Sequence, residues 1–308
     1  MHDASAFSPA GITSFFEIRD RQPNGRPFED PAQAGARGGG LVTSLGITTH
    51  LRLKPTDKSR VHVKINGKAA PHAHTTIYTI SKLLDLSREK YGVEIEHRVE
   101  VPIGAGYGAS AAGALSAALA FSQAADLGMS VNQLGRVVHH AEIANGTGLG
   151  TVAPILTGGF VVTRKSGGPG IAVIDRIPVS RNLRVVSACF GPISTKTILR
   201  SKRIRDRVNA LAGETFRSLE TDLRPRNFMS ASLEFAHGLG LMSPETARLV
   251  DLMNESGSIG ATQNMVGQAV HAIAERDVAR RILRAVTRVF PKIWAGCCDL
   301  DFAGARLL

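Results

Sequence analysis

The chain has 308 residues, of which 43% are hydrophobic and 20% charged, and its formal net charge is +11. This length supports one large domain or two modest ones with real cores, and the ordinary composition excludes a disordered, collagenous or disulfide-stapled protein. The positive balance suits anionic substrates as well as nucleic acid, and charge alone does not separate the two.

Aromatic residues make up only 5%, so the core must rely on aliphatic side chains and alanine. The three cysteines, Cys189, Cys297 and Cys298, show neither a Cys-x-x-Cys pair nor zinc-ligand spacing. A sparse, odd set of this kind points to a reducing cytoplasm. Residues 1–18 lack a basic region followed by an apolar core, so no signal peptide is expected.

Residues 7–18 read as a strand entered through the turn Pro9-Ala10-Gly11. Residues 20–40, rich in Gly, Pro, Arg and Gln, read as a loop. Residues 41–53 and 60–65 alternate apolar and polar side chains, the pattern of strands in a half-exposed sheet. Asn66-Gly67 is a tight-turn signal. Helical periodicity through Ile77, Ile80, Leu83, Leu84 and Leu86 predicts a helix over 74–91. His72 and His74 are two apart, do not share a helical face, and read as surface residues rather than metal ligands.

The centre of the chain is the stretch 101–113. It follows a Val/Ile-alternating strand over 92–101 and precedes an Ala/Leu-rich helix over 111–125. Gly104, Gly106 and Gly108 permit positive φ and leave no Cβ between the backbone amides and a bound group. The following helix directs its unpaired N–H groups and positive dipole end into the same space, which makes a phosphate cradle. Pro102, Gly104, Ala105, Gly106, Tyr107, Gly108, Ala109, Ser110 and Ala111 are therefore the nucleotide-loop candidates. Ser110 stands in the first turn and offers a hydroxyl to a phosphate oxygen or to Mg²⁺. No Gly-Lys-Ser/Thr follows, so this is not a Walker A loop, and no second strand ending in an acidic residue supports a dinucleotide fingerprint. Residues 101–125 carry no charge, but glycines break the first half and the rest is too short to span a bilayer, so a buried helix is expected.

A second amphipathic helix is predicted over 131–144, with Ser130 as N-cap and Gln133 as its capping-box partner. Glu142 lies near its C-terminal end, where a carboxylate opposes the dipole unless a cation compensates. Mg²⁺ is such a cation. Residues 155–165 and 171–177 read as strands, and Arg164 on the first is the candidate fork for a carboxylate-bearing acceptor. Residues 178–182 read as a connection, which divides the chain into 1–180 and 181–308.

In the second half, a strand over 183–190 precedes a strongly basic run, 196–207. No aromatics interleave with the run, and Ile198, Ile204 and Val208 suggest one apolar face, so a solvated helix near an anionic pocket is expected over a nucleic-acid groove. Helices over 226–239 and 244–254, a glycine-rich segment over 256–267, a helix over 277–289 and a strand over 293–302 complete an α+β texture.

Three blocks, in this order, resemble those of the GHMP kinases (galactose, homoserine, mevalonate and phosphomevalonate kinases). They are Pro9-Ala10-Gly11-Ile12-Thr13; the 102–112 loop with its partner block 139–154; and the 256–267 segment. The resemblance implies a two-domain α+β architecture: a ribosomal-protein-S5-like N-terminal domain and a ferredoxin-like α/β-sandwich C-terminal domain. It also implies ATP and Mg²⁺, the metal held by Ser110 and Glu142, with Thr13 and Ser14 at the acceptor. Gly260, Ala261 and Thr262 would approach the phosphates from the second domain. Many members carry a proton-accepting aspartate where this chain has Thr151; homoserine kinases also lack it. Thr151 is therefore expected to orient the hydroxyl, with no strong general base.

The forms of the blocks are most similar to those of one branch, the archaeal pantoate kinases, which implies pantoate as acceptor, 4-phosphopantoate and ADP as products, and a place on the route to coenzyme A. Homoserine, shikimate and mevalonate are the rival acceptors. A basic nucleic-acid-binding protein is the alternative from another class, since the N-terminal domain shares its general shape with RNA-associated proteins. A cytoplasmic protein with no membrane partner is expected; the oligomeric state is open, a homodimer included.

Overall fold

The computed structural model describes residues 2–192, 201–265 and 267–308. Its first sheet is built on two long strands, β1 (His2–Arg19) and β2 (Gly35–Pro55), paired antiparallel from His2↔Leu53 to Arg19↔Gly35. Both run further than the sequence pattern suggests. The loop expected over 20–40 ends at Ala34, and Gly38, Gly39 and Gly40 lie inside β2. The reason is close approach: a Cβ on Gly40 would stand 2.0 Å from the Ile12 carbonyl oxygen. Glycine in a strand marks such contact as often as a turn.

The remaining strands of this sheet are β3 (Arg60–Ile65), β4 (Lys68–Ala69), β5 (Tyr91–Val99), β6 (Phe160–Lys165), β7 (Val173–Ile177) and β12 (Arg306–Leu307). The order is β12-β1-β2-β5-β3-β4, with β6 on β2 and β7 on β6. Asn66 (φ 49°) and Gly67 (φ 79°) form the tight turn between β3 and β4. Helix α1 (His74–Leu86) crosses over to β5, which runs parallel to β3. The helix stops short of Tyr91, which begins β5.

Helix α2 (Ala109–Ala124) lies against β1 and β2, buried on every side from Ala111 to Ser122. Its alanines, glycine and serines keep the helix thin enough to be enclosed. Helices α3 (Val131–Asn145) and α4 (Val152–Thr157) follow. The strand expected from 155 starts at Phe160 instead, because Gly158 and Gly159, both at positive φ, separate it from α4. A short apolar run does not by itself distinguish helix from strand.

The second sheet is antiparallel in the order β11-β8-β10-β9, from β8 (Leu183–Gly191), β9 (Gly260–Gln263), β10 (Gln268–Glu275) and β11 (Trp294–Asp299). Helices α7 (Pro244–Glu255) and α8 (Arg276–Val289) cover one side with their own core, which includes Leu249, Val270, Ile282 and Val286. Helices α5 (Lys202–Thr221) and α6 (Pro225–Leu239) pack on each other and on β1, and α6 also packs on β9, which joins the two sheets. Of the basic run 196–207, residues 196–200 lie outside the described residues; from Lys202 onward it is α5, with Val208, Ala212, Phe216 and Leu219 buried.

Phe15 anchors this junction, its ring 5.2 Å from Phe216, 5.7 Å from Phe228 and 6.3 Å from Phe235. Strands β1–β7 thus make one sheet and β8–β11 the other, while β12 returns to β1 with Ala6↔Leu307 and Phe7↔Arg306. Among the described residues no helix is long and apolar enough to cross a membrane.

Candidate active site

The turn from β5 into α2 carries three positive-φ glycines, Gly104 (77°), Gly106 (82°) and Gly108 (60°). Gly108 is the N-cap of α2 and supplies no side-chain cap, so the first amides of the helix have no such partner. A Cβ at Gly108 would stand 2.5 Å from Thr151 Cγ2 and 3.2 Å from the Gly11 carbonyl oxygen. The Gly11 amide in turn donates to the Tyr107 carbonyl at 3.2 Å. Glycine loop, N-terminal block and Thr151 therefore touch, although nearly a hundred residues separate the first two in sequence.

Glu142 reaches this corner from the last turn of α3. The capping box at the other end of that helix is formed: Gln133 N–H donates to Ser130 Oγ at 3.3 Å and Ser130 N–H to Gln133 Oε1 at 2.8 Å. Gly146, left-handed at φ 62°, ends α3 and turns Thr147 back. Glu142 is only 2% exposed. Its Oε1 accepts the Ser110 hydroxyl at 2.7 Å and the Thr147 hydroxyl at 2.6 Å. Burial holds this carboxyl above its ordinary range, and the hydroxyl bonds from Thr147 and Ser110 oppose that rise.

No group of three or more His, Cys, Asp or Glu that could hold a metal occurs among the described residues. A buried carboxylate beside a serine hydroxyl is nevertheless a hard-oxygen pair of the kind Mg²⁺ accepts when phosphates and water complete its shell. The donor set fits that ion and would suit a zinc site poorly.

A cavity of about 740 Å³ opens around this corner. Thr13, Gly104, Gly106, Tyr107, Gly108, Ala109, Ser110, Glu142 and Thr151 line it, as do Arg37, Thr147 and Met265. The wall beyond the glycine loop is apolar, with Ile65, Pro71, Val99 and Ile103. His72 and His74, expected at the surface, are exposed and stand at the same wall, their rings 6.0 Å apart. His97 also lines the cavity, between Thr49 Oγ1 at 2.7 Å and Thr76 Oγ1 at 3.2 Å, and burial pushes it down to about 4, so it is neutral. Among the described residues lining the cavity, Glu142 is the one carboxylate and Arg37 the one arginine or lysine.

Several sequence candidates lie off this cavity. Pro102 is not among its lining residues, and Ala105 and Ala111 are buried beneath the loop and helix. Ser14 is fully buried and bonds to His271 at 2.9 Å. Gly260, Ala261 and Thr262 form β9, paired to β10 inside the second sheet; Met265 is the residue of that segment on the cavity wall. Arg164 does not line the cavity, although Val161 and Thr163 of β6 do; it falls at an irregularity of the β6–β7 pairing between Thr163 and Lys165, and its Nε donates to Asp175 at 2.8 Å.

Arg37 takes that wall instead. Its Nε lies 2.6 Å from Glu17 Oε2 and its guanidinium 4.4 Å above the Phe216 ring. Nothing local marks it in the sequence, because it stands in the glycine-rich run that reads as a loop. Thr147 was legible only as part of the 139–154 block.

The model of the GHMP kinases N-terminal domain matches residues 75–159, from α1 through α4. A pantoate kinase of Thermococcus kodakarensis is 31% identical over 284 residues, 90% of this chain and 89% of that protein. A pantoate kinase of Methanospirillum hungatei is 27% identical over 294 residues, 93% of this chain and 92% of that one. Among solved structures, a phosphotransferase related to the coenzyme A biosynthesis pathway superposes with a TM-score of 0.88 at 24% identity, over 99% of this chain and 98% of the other. Fold, glycine loop and near-full-length similarity agree: the chain belongs to the GHMP kinases, in the family of the pantoate kinases.

Proposed function

We propose that this protein transfers the γ-phosphoryl group of ATP to the hydroxyl of (R)-pantoate, giving 4-phosphopantoate and ADP. The acceptor oxygen bonds to the γ-phosphorus, the bond from that phosphorus to the β,γ-bridging oxygen breaks, and the hydroxyl proton is released. The observation that carries the reading is the meeting of the uncapped glycine-loop helix, the Ser110–Glu142–Thr147 cluster and the Gly11–Thr13 block in one cavity. The near-full-length similarity to pantoate kinases supports the acceptor.

In this reading the amides of residues 104–110 receive the phosphates, and the apolar wall of Ile65, Val99 and Ile103 takes the base. Ser110 Oγ and Glu142 hold Mg²⁺, which when bound supplies positive charge to the phosphate oxygens. Thr147 holds Glu142 in place through its hydroxyl. Arg37, fixed by Glu17 and by stacking on Phe216, takes the acceptor carboxylate as a planar fork. Thr151 orients the acceptor hydroxyl. The loose transition state of phosphoryl transfer asks little of a base before bond formation, so a wall without a second carboxylate is sufficient. Residues 1–180 then carry the nucleotide and residues 181–308 the lobe that closes the acceptor side through Met265, in a cytoplasmic enzyme.

The test is ADP release with pantoate, homoserine, shikimate and mevalonate under identical conditions. Pantoate-dependent release well above the other three is the expected result, and a higher kcat/KM with another acceptor overturns the assignment. ATP with Mg²⁺ should raise the melting temperature by mass action, and single-stranded RNA should not.

A further inference from the structure

A buried imidazole stands where the acceptor strand, the glycine loop and the second sheet meet. His271, on β10, is fully buried and joins two side chains at once: Ser14 Oγ at 2.9 Å from Nε2 and Asn264 Oδ1 at 2.8 Å from Nδ1. An amide oxygen only accepts, so Nδ1 carries the hydrogen and Nε2 accepts from the serine hydroxyl. Burial pushes the ring down to about 3, which keeps it neutral.

Each partner leads to the cavity through one covalent neighbour. Ser14 follows Thr13, whose side of β1 lines the cavity and whose carbonyl accepts the Met265 amide at 2.8 Å. Asn264 precedes Met265, and its Cβ sits 2.9 Å from where a Cβ on Gly106 would lie. Val270, next to His271, gives its carbonyl to the Ser187 hydroxyl at 2.8 Å, and Ser187 Oγ lies 2.6 Å from the Tyr107 hydroxyl. The Tyr107 phenol is pushed up by burial, and the neighbouring Ser187 and Asn264 side chains oppose that rise.

We propose that His271 is a positioning residue: by holding Ser14 and Asn264 together it sets the separation between the acceptor wall at Thr13 and the phosphate loop at Gly106. The proposal rests on the kinase reading above. A buried chain of directional hydrogen bonds specifies one arrangement of the groups it links, which an apolar core does not; Asn264 Nδ2, at one end of it, has no partner among the described residues. Reacting atoms must meet near 3–3.5 Å, and small misplacements are expensive, so such a clamp governs turnover more than nucleotide binding.

The experiment is a double-mutant cycle of Ser14→Ala and His271→Phe, reading kcat and KM for the acceptor, KM for ATP and melting temperature. Ser14→Ala deletes one hydroxyl and keeps the protein measurable even where His271→Phe melts low. Expected are a kcat loss of about tenfold or more in each single variant, an ATP KM within about twofold of wild type, and a double variant no slower than His271→Phe alone. Wild-type kcat in Ser14→Ala, independent additive losses, or a rise in ATP KM as large as the fall in kcat would each overturn the proposal. The cycle is run with whichever of the four acceptors the wild type phosphorylates, so absence of pantoate turnover bears on the acceptor assignment and not on His271.

Discussion

Replacing Glu142 by glutamine separates the charge of the carboxylate from its shape. The amide oxygen of the variant can still accept from Ser110 and Thr147, which bond to one oxygen of the native side chain at 2.7 and 2.6 Å. Only the negative charge offered to the metal is lost. Removing one preorganised electrostatic group lowers turnover by about 10²–10³-fold, or about 2.7–4 kcal/mol of transition-state stabilisation. Stability should move the other way. Burial raises the Glu142 pKa above the free carboxyl value of 4.5, so the folded protein holds the proton more tightly than the unfolded chain. That contribution is full below the unfolded pKa and is lost as pH rises through the folded one. Glutamine cannot ionise and escapes the loss.

Ligand-free E142Q should therefore gain melting temperature relative to wild type as pH rises above the free carboxyl value of 4.5, while its ADP release falls. In wild type, Mg²⁺–ATP at a hundred times its Kd should add about 2.7 kcal/mol of stability; in E142Q this gain should be smaller and insensitive to Mg²⁺. Wild-type turnover in E142Q would refute the metal role of the charge. A ligand-free variant that loses stability relative to wild type as pH rises would refute the burial argument.

Thr151→Ala should lower kcat by less than about tenfold, because a general base would contribute about 10²–10⁴; a loss as large as that of E142Q, measured in the same assay, would make Thr151 central. Gly108→Ala places a methyl 2.5 Å from Thr151 Cγ2 at φ 60° and should weaken ATP binding in titration calorimetry. Adding Thr151→Ser removes that Cγ2 and should recover part of the affinity; no recovery would point to the backbone strain alone. Phe15→Ala empties the ring contacts with Phe216, Phe228 and Phe235 and should cost about 3–5 kcal/mol by denaturant unfolding. A change under 1 kcal/mol would mean that the aromatic cluster does not join the two sheets.

Local chemistry made the proposed nucleotide side of this protein legible. Glycines alternating before an alanine-rich helix can be read as a cradle without any tertiary contact, since positive φ and free helix amides are properties of a few consecutive residues. The capping box at Ser130 and the turn at Asn66-Gly67 are equally local, and both are formed as read. Glu142 was legible because a carboxylate in the last turn of a helix is unfavourable without a partner. The acceptor side was not. The glycines before Leu41 are written as a loop would be, yet they lie in a strand because the Ile12 carbonyl leaves no space for a Cβ. Only that pairing places Arg37 beside Glu17 and on the cavity wall.

The sequence by itself therefore determined the glycine loop proposed to hold the phosphates, the serine and glutamate beside it, and the family, because each is carried by short-range pattern. Tertiary structure alone decided which arginine lines the cavity, that Ser14 turns inward to His271, and that Met265 rather than β9 reaches the site. Those outcomes depend on strand register and on which face of a sheet is enclosed. A shift of one residue moves a side chain to the opposite face, and no local signal records which face the partner strand will choose.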